Sequence, residues 1–412
     1  MKCRHCDTEL ENVFIDLNTS PPSNSYISKS NLNGPETYFP LRVLTCETCW
    51  LLQTEDYADA DELFTEEYAY FSSVSSSWLA HSEKYANEMT KRFKLDKDSL
   101  VSEIAANDGY LLQYFKKLDI PCYGVEPTTS TADAAREKGI EIVEDFFGVE
   151  LATKLRGENK QVDLVAANNV LAHVPDINDF VSGFKVLLKD TGVATFEFPH
   201  LYELVDKNQF DTIYHEHYSY LSLGTVSDIL AKCGLEAFDV QQISTHGGSL
   251  RVFAQRKDTG LHPVTNAVRD LLKFEADAGM KTAEFYNNFQ GKAQKIKRTF
   301  LSYLLDCKAK GLKVAAYGAA AKGNTLMNYA GVTDDLLPYV VDRNPNKQGM
   351  FMPGSRIKIV DEAHMKQDRP DRIIILPWNL APEISAQLAY IKDWNGVCVR
   401  FVPELEELKS VK

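Results

Sequence analysis

The chain has 412 residues, 44% of them hydrophobic and 25% charged, with a formal net charge of -13 at pH 7. This length suits two or three domains, and the composition is that of a folded globular protein. The acidic balance disfavours a broad nucleic-acid surface because a negative protein repels phosphates, although one local basic pocket for a nucleotide is compatible with it.

The first residues, MKCRHCDTEL, lack the apolar core of a signal peptide. No apolar run approaches the roughly 20 residues that cross a bilayer. We therefore expect no membrane association and a cytoplasmic location. In that reducing compartment the cysteines are more often metal ligands or buried thiols than disulfides.

Two CxxC pairs, Cys3-x-x-Cys6 and Cys46-x-x-Cys49, lie in the N-terminal part of the chain. Each pair can hold one side of a tetrahedral metal, and four thiolates leave no open position, which predicts a structural Zn²⁺ site. We interpret residues 1–78 as a small module that zinc stabilises. The alternative is four buried thiols without metal, although burial alone does not require paired spacing.

Apolar, strand-like runs alternate with helix-like stretches over residues 79–264. The first four runs are SLVSEIAA, IPCYGVEP, VDLVAANN and GVATFEFP. This alternation predicts a mainly parallel, doubly wound sheet. LEAFDVQQIS and GSLRVFAQR follow as a hairpin of the kind that ends the sheet of class I methyltransferases.

Residues 265–412 begin with a charged stretch that we interpret as two connecting helices, and continue as a second α/β block. Its strand-like runs lie in LKVAAYGAAAKGN, LLPYVVDRNP, DRIIILPW and GVCVRFVP. They are largely apolar, as burial on both faces of a parallel sheet requires. The predicted fold is therefore α/β: a class I, Rossmann-like domain flanked by the zinc module and a C-terminal Rossmann-like domain.

The segment from Leu100 to Gly109 is predicted to be a strand, a small-residue turn and the start of a helix. Such a turn lets the backbone approach a ligand, and the helix N-terminus favours its carboxylate. Glu126, about twenty residues later, can hydrogen-bond both hydroxyls of a ribose. With an acidic residue before it and a glycine after it, the turn resembles the fingerprint of enzymes that use S-adenosylmethionine (SAM), and the GxGxxG of dinucleotide enzymes is absent.

The predicted cofactor-binding residues are Glu103, Ala105, Asn107, Gly109, Glu126, Asp145, Phe146 and Asn168. Ala105 stands where glycine is usual, which leaves the turn geometry open. Asp145 is predicted to accept from the adenine amino group, unless it is a helix cap, and Phe146 to pack on the adenine. An ordinary set of α/β loops without a cofactor is the alternative.

The segment DTIYHEHYSY, residues 211–220, is the densest in reactive side chains. His215 and His217 are two residues apart rather than four, so this is not a zinc-binding HExxH helix. A histidine suits proton abstraction and a tyrosine hydroxyl can stabilise an oxyanion. The candidate catalytic residues are Tyr214, Glu216, His217 and His173. The segment lies just beyond the fifth strand, near the expected substrate cleft, and His173 is predicted to face that cleft as well. The alternative is a set of loop aromatics with a core histidine.

The second α/β block has a small-residue turn after its first strand, and Lys322-Gly323-Asn324-Thr325 opens the next helix. Asn324 stands where a Walker A motif needs lysine, so ATP hydrolysis is not expected. A backbone-lined turn with Lys322 suits a diphosphate, and Arg343 after the next strand could contact the same ligand. A purely structural turn is the alternative.

Together these motifs resemble the sugar-nucleotide C-methyltransferases of deoxysugar pathways, especially the C-3 methyltransferases of thymidine-diphosphate (TDP) 4-keto sugars. The resemblance covers essentially the whole chain. It is carried by the four cysteines, YAYFSS at residues 68–73, NVLAH at 169–173, YHEH at 214–217 and YGAAAKGNT at 317–325.

The resemblance implies SAM-dependent C-methylation of a TDP-linked 4-keto deoxysugar, with His217 as the base beside Tyr214, Glu216 and His173. The predicted substrate-binding residues are Tyr68, Tyr70, Ser73, Asn169, Lys322, Asn324 and Arg343. C5 methylation, N- or O-methylation, another nucleotide and a non-catalytic SAM-binding protein remain alternatives. A monomer is compatible with the sequence, and the oligomeric state is left open.

Overall fold

The computed structural model describes residues 1–57 and 71–408. The strands are β1 (Asn12–Ser20), β2 (Phe39–Thr45), β3 (Leu52–Thr54), β4 (Val101–Ile104), β5 (Cys122–Val125), β6 (Glu141–Val143), β7 (Val162–Asn168), β8 (Leu188–Pro199), β9 (Ser219–Tyr220), β10 (Leu235–Ile243), β11 (Ser249–Arg256), β12 (Val314–Tyr317), β13 (Tyr339–Val341), β14 (Lys358–Val360), β15 (Arg372–Ile375), β16 (Val397–Arg400) and β17 (Glu406–Leu408).

The helices are α1 (Ser76–Phe93), α2 (Leu112–Lys117), α3 (Thr129–Glu137), α4 (Val149–Gly157), α5 (Ile177–Leu187), α6 (Leu201–Asp206), α7 (Leu223–Lys232), α8 (Asn266–Asp277), α9 (Ala283–Tyr286), α10 (Phe289–Ala309), α11 (Ala321–Ala330), α12 (Glu362–Asp368) and α13 (Ala381–Gln387). Within the two described ranges, none of these helices combines the length and the apolar character that a membrane crossing needs.

The N-terminal sheet has the order β1-β2-β3-β9, and all of its pairs are antiparallel. Its fourth strand, β9, comes from the central part of the chain and forms the end of the reactive segment. Gln53 pairs with Ser219, and Leu52 with Tyr220. The zinc module and the reactive segment are therefore joined by a shared sheet.

The central sheet has seven strands in the order β10-β11-β8-β7-β4-β5-β6. Strands β4 to β8 pair in parallel, whereas β11 runs antiparallel to both β8 and β10. This confirms the predicted doubly wound sheet and its terminal hairpin. The strand order reverses between β4 and β7, and open α/β sheets bind ligands at the carboxyl ends of strands at such a point.

The helices on this sheet bury one face each. In α5 the residues Ile177, Phe180, Val181 and Phe184 are buried at helical spacing, which is the pattern of a helix packed on a sheet. Helix α1 begins where the Ser75 hydroxyl accepts from the Trp78 amide, 3.3 Å away. A serine in this position satisfies one of the free amides of the first turn.

The C-terminal sheet has the order β14-β13-β12-β15-β16-β17 and is parallel except for β17. It confirms the predicted second α/β block. The connection before it contains three helices, α8, α9 and α10, rather than the predicted two. The helical conformation is interrupted before α10, because Asn288 adopts a left-handed conformation with φ of 69°.

The three sheets are connected by continuous packing. Phe14 of β1 stacks on Phe289 of α10 with ring centroids 4.5 Å apart, and Trp50 stacks on Tyr286 at 5.8 Å. The domain limits 1–78, 79–264 and 265–412 remain predictions, since the N-terminal sheet takes a strand from the central segment.

Candidate active site

The thiol groups of Cys3, Cys6, Cys46 and Cys49 lie within 4.8 Å of one another. The Sγ atoms of Cys3 and Cys49 are 3.5 Å apart, as are those of Cys6 and Cys46. Four sulfur ligands at this spacing fit a tetrahedral Zn²⁺ and leave no position for a substrate. The structure thus confirms the predicted donor set of a structural zinc site.

Hydrogen bonds tie the zinc module to the central sheet and to the reactive segment. The Asn178 amide donates to the carbonyls of Arg4 and His5, each at 3.0 Å. On the other side, the Thr54 hydroxyl donates to the His217 carbonyl at 3.2 Å. The backbone around the predicted base is thus held by a residue of the zinc module.

The turn after β4 has the strained geometry that a small residue eases. Ala105 and Asn107 have φ of 58° and 50°, and Gly109 has φ of 74°. A non-glycine residue in the left-handed region costs about 1 kcal/mol, which explains why glycine is common where Ala105 stands. A Cβ on Gly109 would lie 2.4 Å from Cδ1 of Ile140, so this glycine is also required by packing.

Glu126 connects two loops at the carboxyl end of the central sheet. Its Oε2 accepts from the Asn107 amide at 2.9 Å and its Oε1 from the Thr128 amide at 3.0 Å. Burial raises the pKa of this carboxyl, and the two amides oppose that effect. The carboxylate is thus held beside the turn after β4, where the pair of hydroxyls on a ribose is predicted to bind.

Four buried acceptor atoms on three residues near this turn have no hydrogen-bond partner within the described residues: both carboxyl oxygens of Glu103, Oδ1 of Asp108 and Oδ1 of Asn168. The Tyr110 phenol lies beside both Glu103 and Asn168. Burial raises the pKa of Glu103 well above its ordinary value. Buried acceptors without donors are costly, and the amino group of the methionine part of SAM would supply the donors.

The predicted adenine contacts lie on the open rim of this pocket. Phe146 is 54% exposed, so its ring is available for stacking. Asp145 is exposed as well, and its Oδ1 accepts from the Phe146 amide at 2.8 Å. Both roles stay predictions.

Ser73 lies against the cofactor turn. Its amide donates to Oδ2 of Asp108 at 3.3 Å, and its hydroxyl accepts from Lys138 Nζ at 2.8 Å. The Ser73 hydroxyl is thus engaged beside the cofactor turn, and its contact with the substrate stays a prediction. Tyr68 and Tyr70 lie outside the described residues.

His217 has the tautomer of a proton acceptor. Its Nδ1 lies 2.9 Å from the Thr212 carbonyl, which can only accept, so Nδ1 carries the proton and Nε2 the lone pair. The ring is 4.6 Å from that of His173 and 4.0 Å from that of Tyr214. Burial, helped by His173, lowers the pKa of His217 well below its ordinary value. The imidazole is therefore neutral at pH 7.

The Glu216 carboxyl faces the N-terminal module rather than His217. Its Oε2 accepts from the Asn24 side-chain amide at 2.9 Å, and burial raises its pKa to about 7. The backbone of Glu216 does reach the cluster, where its carbonyl accepts from the His173 ring. The predicted catalytic role of this side chain is thus corrected to a positioning role.

His246, in the turn between β10 and β11, was not among the predicted site residues but lies close to His173 and Lys322. Its Nε2 lies 3.3 Å from Asn169 Nδ2, and its ring is 5.3 Å from that of Trp78. Burial lowers the pKa of His246 to about 4. The available sequence signal was a histidine next to Gly247 and Gly248 in the turn of the β10–β11 hairpin. The geometry of the turn does not require a histidine there.

The turn after β12 is filled by protein. A Cβ on Gly318 would lie 2.4 Å from Cδ of Pro377, and one on Gly323 would lie 2.6 Å from Cδ1 of Leu376. The Tyr26 hydroxyl donates to the Ala319 carbonyl at 2.6 Å and covers the turn. The amides of Gly318, Ala319 and Ala320 are all engaged within the protein, which favours the structural alternative, and the diphosphate site stays a prediction.

Two further side chains that were predicted to bind the substrate, those of Asn324 and Arg343, lie away from the cleft. Asn324 is completely buried, and its amide donates to the Ser23 carbonyl at 2.5 Å, so it joins α11 to the N-terminal module. Arg343 is exposed and lies 3.8 Å from Glu362 and 3.3 Å from Gln387 of the C-terminal domain. Neither side chain lines the cleft.

Lys322, in contrast, extends into the cleft. Its Nζ donates to Oδ1 of Asn379 at 2.9 Å and lies 4.6 Å from the Trp378 ring centroid. Its charge lowers the pKa of both His217 and His246. The cleft is thus lined by residues of the central segment and by one cation from the C-terminal domain.

A parallel sheet with an antiparallel last strand, the strained turn after β4 and the carboxylate of Glu126 are together characteristic of SAM-dependent methyltransferases. Three family models match the chain: a zinc binding domain over residues 3–64, a methyltransferase domain over 78–240 and a C-methyltransferase C-terminal domain over 244–403. The chain is 32% identical over 403 residues to C-methyltransferase NovU of Streptomyces niveus, covering 98% of this chain and 96% of that protein. The chain therefore belongs to the C-methyltransferase family.

Solved methyltransferases align with less than half of the chain. Magnesium protoporphyrin IX methyltransferase of Synechocystis PCC 6803 with bound SAM is 15% identical, with a TM-score of 0.34 over 43% of this chain and 79% of its own. A SAM-dependent methyltransferase of Clostridium acetobutylicum is 12% identical, with a TM-score of 0.35 over 43% of this chain and 92% of its own. We draw nothing further from these likenesses.

Proposed function

We propose that the protein methylates the carbon next to the ketone of a nucleotide-activated 4-keto deoxysugar, at C3, with TDP as the nucleotide. A carbon acceptor has no lone pair, so C-methylation needs a base that removes a proton first. The neutral His217, whose Nδ1 proton is held by the Thr212 carbonyl and whose ring lies 4.6 Å from that of His173, is the observation that carries the proposal. The sugar and its nucleotide rest on the sequence resemblance.

Different residues of the chain would bind the cofactor and remove the proton from the substrate. SAM would supply an electrophilic methyl group; Glu126 would hold its ribose, while Glu103 and Asn168 would accept from its amino group. His217 removes the proton beside the ketone, with its orientation set by the Thr212 carbonyl. Positioning the two reactants in line supplies much of the rate.

The proposal is tested by incubating the full chain with SAM and a TDP-4-keto-6-deoxy sugar in deuterated water and analysing the product by mass spectrometry and NMR. We expect one methyl group on carbon and deuterium exchange beside the ketone. N- or O-methylation needs no enolate, so methyl transfer to a heteroatom without exchange would favour that alternative. Family membership favours an enzyme over the non-catalytic alternative.

Glu126→Gln should weaken SAM binding by about 10- to 100-fold, since hydrogen bonds to a charged group are worth about 1.5–3 kcal/mol. Isothermal titration calorimetry measures this effect. Glu141→Gln is the matched control, because Glu141 is an exposed carboxylate at the start of β6 and should leave the affinity unchanged. Equal SAM affinity in the two variants would remove Glu126 from the cofactor site.

On the acid side of neutrality, methyl transfer should depend little on pH down to about 6. The base acts only when unprotonated, and burial lowers the pKa of His217, so activity is lost as the pH falls through a value well below 6.5. The pH profile of kcat/KM checks this expectation. An acid limb at or above the ordinary histidine pKa would contradict a buried, neutral base.

A further inference from the structure

Lys322 is the one predicted substrate-binding residue of the C-terminal domain whose side chain enters the cleft. Its backbone is fixed because Gly323 packs directly against Leu376, in the loop after β15. From the same loop, Asn379 accepts a hydrogen bond from its Nζ, and Trp378 places its indole face against the ammonium group. The cation is therefore held in one position before any substrate binds.

Trp378 also connects this loop to the reactive segment. Its Nε1 donates to Oδ2 of Asp211 at 2.8 Å. The next residue, Thr212, provides the carbonyl that orients His217. Helix α11 bonds to this segment directly, because the Thr325 hydroxyl donates to the Ile213 carbonyl at 2.8 Å.

The buried Asp211 carboxyl completes the arrangement. Its Oδ1 has no hydrogen-bond partner within the described residues, so the carboxyl is not neutralised by a direct ion pair. Burial lowers the pKa of Lys322 to about 8. The charge of Asp211 offsets part of this effect. Burial raises the pKa of Asp211 to about 7, and the charge of Lys322 opposes that rise. When Asp211 is ionised, its charge helps to keep the buried ammonium protonated, as a hydrogen-bond donor must be.

The charged group thus faces a cleft that also contains the neutral imidazoles of His217 and His246, the Tyr214 phenol and the Asn169 amide. A diphosphate needs a ring of backbone amides or several cations, and the adjacent turn is occupied by Pro377 and Tyr26. A single developing negative charge beside the base needs only one fixed donor. The geometry therefore favours an oxyanion over a diphosphate as the partner of Lys322.

We propose that Lys322 is a catalytic residue that donates a hydrogen bond to the ketone oxygen of the substrate as that oxygen becomes an enolate, and that Asp211 and Asn379 position it. The inference rests on the proposed function and names the residue that stabilises its intermediate.

The electrons balance as follows. His217 Nε2 takes the proton, the C–H pair forms the C=C bond, and the carbonyl π pair moves to the oxygen that Lys322 binds. The oxygen pair then re-forms the carbonyl as the C–CH₃ bond forms and the S–CH₃ bond breaks, leaving a neutral thioether. His217 afterwards releases its proton to solvent.

The test compares wild type, Lys322→Met and Lys322→Arg in deuterated water with the TDP-4-keto-6-deoxy sugar and S-adenosylhomocysteine, following exchange beside the ketone by NMR. We expect exchange to slow at least about 100-fold in Lys322→Met and to recover partly in Lys322→Arg. Affinity for free TDP should stay within about twofold, and unchanged SAM affinity shows that the variant is folded.

Unchanged exchange in a folded Lys322→Met variant would overturn the inference, as would a loss of TDP affinity that accounts for the whole defect. Absence of exchange in the wild type would contradict the proposed function and, with it, this inference. Exchange in the wild type that is unchanged in Lys322→Met would contradict this inference alone.

Asp211→Asn separates positioning from structure. The amide can still accept from Trp378, but the charge that raises the pKa of Lys322 is gone. Since Lys322 must be protonated, we expect the alkaline limb of the exchange rate to move to lower pH. An unshifted limb would contradict the role assigned to Asp211.

Discussion

His217→Asn should reduce methyl transfer by about 10³-fold or more while SAM affinity stays within twofold, because general base catalysis contributes 10²–10⁴-fold and the residue does not contact the cofactor turn. Asparagine can keep the hydrogen bond to the Thr212 carbonyl but has no basic nitrogen. The readouts are kcat from a methyl-transfer assay and the dissociation constant of SAM.

His215→Asn is the matched control, since His215 lies only two residues away. Its Nε2 bonds the Pro40 carbonyl at 3.2 Å, and its ring packs against Phe39 of the N-terminal module. We expect less than a threefold change in kcat for this variant. Equal losses of kcat in both variants would mean that activity depends on the conformation of the segment rather than on a base at His217.

Cys46→Ser should strongly destabilise the protein and remove most of its methyl-transfer activity. Structural zinc sites contribute about 10–16 kcal/mol of apparent binding free energy in small domains, and the N-terminal sheet depends on this metal. The sheet includes β9, and Thr54 holds the His217 carbonyl, so loss of zinc displaces the base. Turnover should therefore fall more than SAM affinity.

The measurements are zinc content, thermal unfolding and turnover, with Cys122→Ser as the control. Cys122 is a half-buried thiol in β5 outside the four-cysteine cluster, so its replacement should leave zinc content unchanged. Zinc release with full stability and full turnover would contradict the structural role of the metal.

The zinc ligands, the two α/β sheets and Glu126 could be predicted from the sequence because each depends on local spacing. Paired cysteines bind metal through the CxxC turn itself, and a strand followed by a small-residue turn produces the cofactor loop in any doubly wound sheet. Burial on one or both faces also leaves a clear hydrophobic pattern. These features need no knowledge of how the distant parts of the chain pack.

Contacts between distant segments were decided only by the tertiary structure. No local pattern indicates that β9 joins the zinc module, that Glu216 turns towards Asn24, or that Tyr26 and Pro377 fill the turn beside Lys322. The same holds for His246, whose hairpin reaches the cleft from the far end of the central sheet. Side-chain direction depends on what packs against each turn, and that partner is hundreds of residues away in the case of Asn324 and Ser23.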